Sequence, residues 1–181
     1  MEKVTTNIRA GIITASDRCF KGQREDQSGL LLKALVESLG GEVIAYRVLP
    51  DDRETLARVL SYLADGFRCD LILTTGGTGL GPRDVTPEAT KEIIEKEILG
   101  ISEAIRSKGL AQTPHAMLSR GIAGIRKKTL VVNLPGNPQA VQEAFEILRP
   151  ILPHAIELIR GKVKDCREAL FSSSPSPSSL L

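Results

Sequence analysis

Arg83 and Asp84 follow directly on four glycines in the stretch LTTGGTGLGPRDVT, residues 73–86, and this is the part of the chain best suited to phosphate chemistry. Gly76, Gly77, Gly79 and Gly81 let the backbone approach a ligand and take positive φ, so that consecutive N–H groups can turn toward an anion. The guanidinium of Arg83 offers a fork of donors that matches phosphate oxygens, and the carboxylate of Asp84 suits a divalent cation held between them. Thr86 followed by Pro87 reads as a capping residue and a first-turn proline, which sets the positive end of a helix beside the same site. A plain tight strand-to-helix connection is the competing reading of these residues. Neither familiar nucleotide loop is present: no lysine lies between Thr74 and Thr90 to complete G-x-x-x-x-G-K-[ST], and the glycine spacing does not supply G-x-G-x-x-G.

The elements that must position this stretch are legible as alternating patterns. Apolar runs over 8–14, 43–49 and 69–74 read as strands. Between them, Leu30, Leu31, Ala34, Leu35 and Leu39 recur at helical spacing up to Gly40-Gly41, and Leu56, Val59, Leu60 and Leu63 mark a second helix opened by Asp51 and Asp52. A β-α-β-α-β order implies a parallel sheet with right-handed crossovers and helices on both faces, hence a three-layer α/β/α, Rossmann-like domain. Beyond the glycines, a helix is expected over 87–97, a break at Gly100 and a shorter helix over 101–108. Residues 121–125 and 129–134 read either as a hairpin around Arg126-Lys127-Lys128 or as two consecutive strands of the main sheet. Asn137-Pro138 repeats the cap-plus-proline start for a long helix in which Pro150 and Pro153 predict a kink or break.

With 181 residues, 41% hydrophobic and 25% charged, the chain fits one globular domain, read as residues 1–165, and nothing forces a second. The Ser- and Pro-dominated segment within 166–181 cannot build a core and is read as a flexible tail with no further domain after it. A net charge of +2, aromatics at 3% and no Trp argue against a nucleic-acid partner. Cys19, Cys69 and Cys166 form no C-x-x-C pair, and His115 and His154 are the only histidines, too few for a zinc site or a disulfide framework. Without an apolar stretch of spanning length or a signal-like h-region, no membrane association is expected and the protein is read as cytoplasmic.

In an open parallel sheet, ligands bind beyond the carboxyl ends of the strands, near the point where strand order reverses. Strand one delivers Ser16 and Asp17 there, strand two Asp51 and Asp52, strand three the glycine loop with Asp84, and the last strand Asn133 to Asn137. Each has a structural reading as well: Asp51 with Glu54 has the spacing of a capping-box variant, Asp84 suits a loop-stabilising role, Asn137 an N-cap, and Ser16 or Asp17 a local turn. Two carboxylates where phosphates are expected repel them unless a cation intervenes, which points to magnesium.

TTGGTG at 74–79, PRDVTPEAT at 82–90, MLSR at 117–120 and NLPGNP at 133–138 together resemble the molybdenum-cofactor biosynthesis family, in the family's order and over about residues 8–161. Within it the sequence is most similar to the stand-alone molybdopterin adenylyltransferases of the MogA type and to the G domains of plant and animal fusion proteins. Ser16-Asp17, Pro50-Asp51, Pro114-His115-Ala116 and the turn Gly124-Ile125-Arg126-Lys127 support that placement. The resemblance implies a homotrimer that transfers AMP from ATP to the terminal phosphate of molybdopterin with Mg²⁺, releasing pyrophosphate, and a separate insertase that later exchanges AMP for molybdate. It places the catalytic, metal-associated aspartates at Asp51 and Asp84, and ligand contacts at Thr78 and Ser119. The loop Thr75, Gly76, Gly77, Thr78 and Gly79 and the turn Pro135-Gly136 match the remaining pocket walls. Two rivals share much of the motif set. A non-catalytic binding protein of the MoaB type would bind molybdopterin or nucleotide without forming an AMP adduct, and a regulatory ATP-binding domain would bind nucleotide indifferent to molybdopterin.

Overall fold

A computed structural model of the chain describes residues 7–162. The expected tail, 166–181, and Cys166 lie outside the described residues. In chain order the elements are β1 (Arg9–Ala15), the short α1 (Asp17–Phe20), α2 (Gln27–Ser38), β2 (Glu42–Leu49), α3 (Arg53–Asp65), β3 (Leu71–Thr75) and α4 (Thr86–Ile93). Then follow β4 (Lys96–Glu97), α5 (Leu99–Leu110), a 3-10 helix over Pro114–Leu118, β5 (Ala123–Arg126), β6 (Thr129–Leu134), α6 (Pro138–Leu148) and α7 (Leu152–Arg160).

The strands form one sheet in the order β2-β1-β3-β6-β5-β4. β1 is parallel to both β2 and β3, and β3 is parallel to β6. Because successive side chains of a strand point to opposite faces, the apolar runs supply two cores at once. Leu71 and Leu73 of β3 face a cluster with Leu32 and Val36 of α2 and Phe145 and Leu148 of α6, whereas Ile72 faces Leu56, Leu60 and Leu63 of α3 and Ala89 of α4. The expected three-layer α/β/α arrangement is therefore present, with each fully buried Leu or Ile contributing about 1.5–3 kcal/mol.

Four local expectations differ. The apolar face of α2 is Leu32, Leu35 and Val36, while Leu30 is half exposed: Asp26 accepts the Gly29 N–H at 2.9 Å and fixes the start of the helix, which sets its rotation. The helix after the glycine loop ends at Ile93, and residues once read as its last turn form β4 on the sheet edge, antiparallel to β5. Gly100 lies inside α5 instead of breaking a helix, because buried Ile101 and Ser102 anchor its first turn. Asp52, not Asp51, caps α3, accepting the Thr55 N–H at 2.8 Å. Both readings of 121–134 hold together: β5 and β6 form a hairpin that is part of the main sheet, turned at Lys127 (φ 50°) and Lys128. The break near Pro150 separates α6 from α7, and Asn137 caps α6 as expected.

Candidate active site

The chain passes from β1 to β2 on one side and reaches β3 on the other, so the switch point of the sheet lies between the ends of β1 and β3. Ala15 and Thr75 end those strands, and the glycine loop fills the gap. Gly76 (φ 90°) and Gly77 (φ 63°) take the left-handed region, and a Cβ would overlap the Ala15 carbonyl oxygen at the first and the Thr86 hydroxyl at the second. Only glycine fits either place. The Gly76 N–H donates to Leu134 O at 3.3 Å and the Thr86 N–H to Gly77 O at 3.1 Å, which ties the loop to β6 and to the helix it feeds.

One side of the loop faces a polar cleft of about 200 Å³ lined by Ser16, Asp26, Asp51, Gly76, Gly77, Asp84 and Gly136, among others. Asp51 is its most unusual member. Its Oδ2 accepts the Asp17 N–H at 2.8 Å, while its Oδ1 is buried and accepts no hydrogen bond. Burial, and then the neighbouring charges of Asp17 and Asp84, hold its carboxyl above the ordinary range. Because Asp52 caps the helix, the Asp51 carboxylate is not spent on the capping-box role its spacing with Glu54 suggested.

Asp17 does not line this cleft but is tied to it through Asp51, with which it exchanges hydrogen bonds. Its carboxylate accepts two bonds from Arg83, Nε to Oδ2 and Nη2 to Oδ1, each at 3.0 Å, and that guanidinium holds it below the usual carboxylate range. The fork expected to meet phosphate is thus paired with Asp17, on a side chain that is 63% exposed. Ser16 caps α1, its Oγ accepting the Cys19 N–H at 3.2 Å.

On the other side of the loop lies a larger, mainly apolar cleft of about 330 Å³. Thr78, Gly79, Ser119 and Pro135 line it together with Ile105, Leu118 and Ala144, and Arg106, His115 and Glu143 add polar groups. Apart from Asp17, which lines neither, the sequence-expected residues are therefore divided between two chambers that share the loop and the turn Pro135-Gly136 as their common wall.

Some expected side chains serve the frame. The Thr75 hydroxyl donates to Pro135 O at 2.6 Å, so Thr75 offers the polar cleft its backbone. Asn133 is buried, donating to the hydroxyls of Thr74 at 3.0 Å and Thr90 at 2.9 Å, and is no part of either cleft. Thr86 does not cap α4: Val85 occupies the N-cap position, and the Thr86 hydroxyl is buried without a partner. Conversely, the polar loop after β1 hid Asp26, whose Oδ2 accepts from the hydroxyls of Thr14, at 2.5 Å, and Tyr46. Burial and the Asp26 carboxylate push the Tyr46 phenol well up, so it stays a donor. Its one local signal was position, directly before a helix.

Among the described cysteines and histidines, Cys19 lines the polar cleft and His115 the apolar one, whereas Cys69 and His154 line neither. Cys69 is buried, which pushes its thiol up to about 11, and His115 Nδ1 lies 3.1 Å from the Thr113 hydroxyl. Among the described residues no group of three or more His, Cys, Asp or Glu is placed to hold a metal alone. The cleft nevertheless fits a cation that keeps water and phosphate ligands: an unbonded, buried Asp51 oxygen and the nearby Asp84 carboxylate supply hard oxygen donors of the kind Mg²⁺ prefers.

Comparison with known proteins gives concordant results. Residues 11–154 match the family described as "Probable molybdopterin binding domain". A molybdopterin adenylyltransferase of Helicobacter pylori is 40% identical over 166 residues, covering 89% of this chain and 93% of that protein. The molybdenum cofactor synthesis protein cinnamon of Drosophila melanogaster is 40% identical over 163 residues, 90% of this chain but 27% of the longer relative. Among solved structures, the molybdopterin biosynthesis enzyme MoaB of Thermus thermophilus superposes with a TM-score of 0.81 at 47% identity, over 85% of this chain and 97% of that one.

Proposed function

Since this chain belongs to the molybdopterin-binding domain family of molybdenum-cofactor biosynthesis, we propose that it is a molybdopterin adenylyltransferase. The observation that carries the reading is the pairing of a carboxylate cleft, holding Asp51 and Asp84, with an apolar chamber across one shared glycine loop. ATP and molybdopterin are the substrates, and the terminal phosphate of molybdopterin attacks the α-phosphorus of ATP. The new phosphoanhydride forms as the bond from the α-phosphorus to the bridging oxygen breaks, and pyrophosphate leaves with that oxygen. A phosphomonoester has its second pKa near 6, so the attacking oxygen is already largely deprotonated at neutral pH. No general base is needed. The site's work is alignment and charge neutralisation, which fits a cleft lined by carboxylates, hydroxyls and glycine backbone.

Asp51 and Asp84 would hold Mg²⁺, which when bound neutralises triphosphate and departing pyrophosphate charge. The loop Gly76 to Gly79 brings backbone close to the phosphates, and Thr78 and Ser119 hold polar groups of the second substrate. Ser16 and Gly136 complete the walls, and Asp17 braces Asp51 from behind them. A cytoplasmic homotrimer that passes its product to a separate insertase accords with the family resemblance.

Incubation with molybdopterin and MgATP, followed by chromatography of the products, tests the proposal. Formation of an AMP adduct with one pyrophosphate per adduct is expected, with strong dependence on Mg²⁺. Tight binding of either ligand without adduct would instead assign a binding protein of the MoaB type, and nucleotide binding indifferent to molybdopterin a regulatory domain.

A further inference from the structure

Arg120, the last residue of the MLSR segment, lines neither cleft, yet its hydrogen bonds reach the walls of both. Its Nε donates to Gly79 O at 2.7 Å and its Nη2 to Asp84 O at 2.6 Å. Those carbonyls are the first and last of the loop 79–84, whose tip, Leu80 to Arg83, is exposed. The remaining nitrogen, Nη1, pairs with Glu88 in the first turn of α4, and the Arg120 backbone N–H donates to Thr78 O at 2.9 Å. One planar cation thus clamps the start of the loop, its end and the helix beyond it.

Within the loop, the Asp84 carboxylate has modest support of its own: Oδ2 accepts the Gly81 N–H at 2.8 Å, and the Asp84 N–H donates to Gly81 O at 3.0 Å. Both bonds lie within the turn itself and do not link it to the rest of the fold. The bond from Arg120 is the one that ties Asp84 to the sheet, because Arg120 leads into β5 through Gly121 and Ile122, whose carbonyl accepts the Asn133 N–H at 2.9 Å. Nε and Nη2 lie on one edge of the guanidinium, so two carbonyls can be held side by side while Nη1 stays with Glu88. Lysine, a point donor on a flexible stem, cannot make that set. Glu88 shows that the clamp is under charge: partial burial favours its neutral form, but the Arg120 hydrogen bond, together with a backbone hydrogen bond and the charges of Arg120 and Arg53, holds its carboxyl below the usual range.

We infer that Arg120 is a positioning residue that sets the Asp84 carboxylate in the polar cleft, acting through the loop backbone and touching no substrate. This rests on the role of Asp84 proposed above. Groups that orient a metal-binding side chain from behind typically change metal affinity or activity by about 10–100-fold when replaced.

The test is a set of Mg²⁺ activation curves for AMP-adduct formation, paired with calorimetric titration of Mg²⁺ into each protein saturated with a non-hydrolysable ATP analogue, for the wild-type protein, R120K, E88Q and D84N. The affinities from titration should move with the half-activation concentrations. R120K keeps the charge but not the fork, so the Mg²⁺ concentration for half-activation should rise by about tenfold and kcat should fall, with little change in the KM for molybdopterin. E88Q loosens the guanidinium without removing it and should move the same quantity in the same direction by about two- to threefold, which keeps the test available if R120K does not fold. An unchanged Mg²⁺ requirement in R120K, or in E88Q if R120K does not fold, overturns the inference, as does a loss of activity that only parallels a loss of folded protein. If D84N leaves the Mg²⁺ requirement unchanged, the assignment of Asp84 itself fails; an altered D84N curve beside normal R120K and E88Q curves sinks the clamp alone.

Discussion

Asp17 and Asp51 hold each other by their backbones: the Asp17 N–H donates to Asp51 Oδ2 at 2.8 Å, and the Asp51 N–H donates to Asp17 Oδ1 at 3.1 Å. The ends of β1 and β2 are joined in this way through two carboxylates, one half-buried and one paired with arginine. Each carboxylate loses one oxygen to the exchange, and the difference lies in the other. Arg83 takes both oxygens of Asp17, whereas Asp51 Oδ1 is left facing the cleft wall at Gly77 without a donor. The reciprocal bonds therefore fix the rotamer of Asp51 and leave its Oδ1 without a donor.

Asp51→Asn should separate stability from activity. The folded chain holds the Asp51 carboxyl above its ordinary value, mainly by burial, so the folded state prefers the protonated form. That preference favours folding below the unfolded pKa and is lost as pH rises through the folded pKa; at neutral pH the ionised group costs stability. The neutral variant should unfold a few degrees higher than wild type near pH 7 without metal, with the difference shrinking as pH falls through the raised folded pKa and gone below the unfolded value of about 4. AMP transfer should fall by about 100-fold or more, as expected when charge placed for a developing phosphate anion is removed. Thermal scans across pH with adduct assays check both; a variant that is less stable at pH 7 contradicts the account.

Arg83→Met should move the acid side of the pH–rate profile to higher pH. The Arg83 charge lowers the carboxyl of Asp17 strongly and that of Asp51 weakly, so its removal lets both rise. Protons then compete with the cation at a higher pH. Because Arg83 is largely exposed, the shift should be smaller in high salt, where the interaction is screened. Profiles at low and high ionic strength check this, and superimposable acid limbs for wild type and variant at low salt would count against it.

The sequence signalled best what is local. The glycine loop, Asp84 and the cap at Asn137 are each defined within a few residues, so backbone chemistry alone announces them. Pairings across long separations were out of reach: Arg83 looked free for phosphate because its partner, Asp17, is 66 residues away. Asp26 was invisible as a pocket residue for the same reason, since its bonds to Thr14 and Tyr46 exist only once β1 and β2 lie side by side. Asp51 and Asp52 compete for one capping position, and local spacing favoured the wrong one; the extended backbone at Asp52 (φ −129°, ψ 119°) decides it. Gly100 stays inside α5 because tertiary burial of Ile101 outweighs the weak helix propensity of one glycine, a contact that local sequence does not show.

Asn133→Ala should damage the fold and spare the chemistry. The Asn133 amide donates to Thr74 and Thr90, and its Oδ1 accepts the Ile122 N–H at 3.3 Å, all next to the glycine loop but outside both clefts. Truncation leaves buried polar groups unpaired, a loss of about 2–4 kcal/mol. Urea unfolding should show a lower midpoint with an unchanged slope. Specific activity per folded molecule should stay within about threefold, since the variant touches no substrate wall. A large loss of kcat at full folding would place Asn133 in the site after all.

Gly77→Ala tests the loop itself. At φ 63° an L-residue is strained by about 1–2 kcal/mol, and the added Cβ would also overlap the Thr86 hydroxyl and stand 3.2 Å from Asp51 Oδ1. Thr86 starts α4 and has little room to retreat, being fully buried. The loop must therefore shift toward one chamber. A shift of about 1 Å in a site that works by alignment costs on the order of 100-fold in rate, more than the stability loss alone would produce in a folded population. Adduct formation at saturating MgATP should drop to that extent while the far-ultraviolet circular dichroism stays native, and calorimetric titration should show weaker MgATP binding. Near-normal turnover by a well-folded G77A protein would mean that the backbone at this glycine does not approach the phosphates.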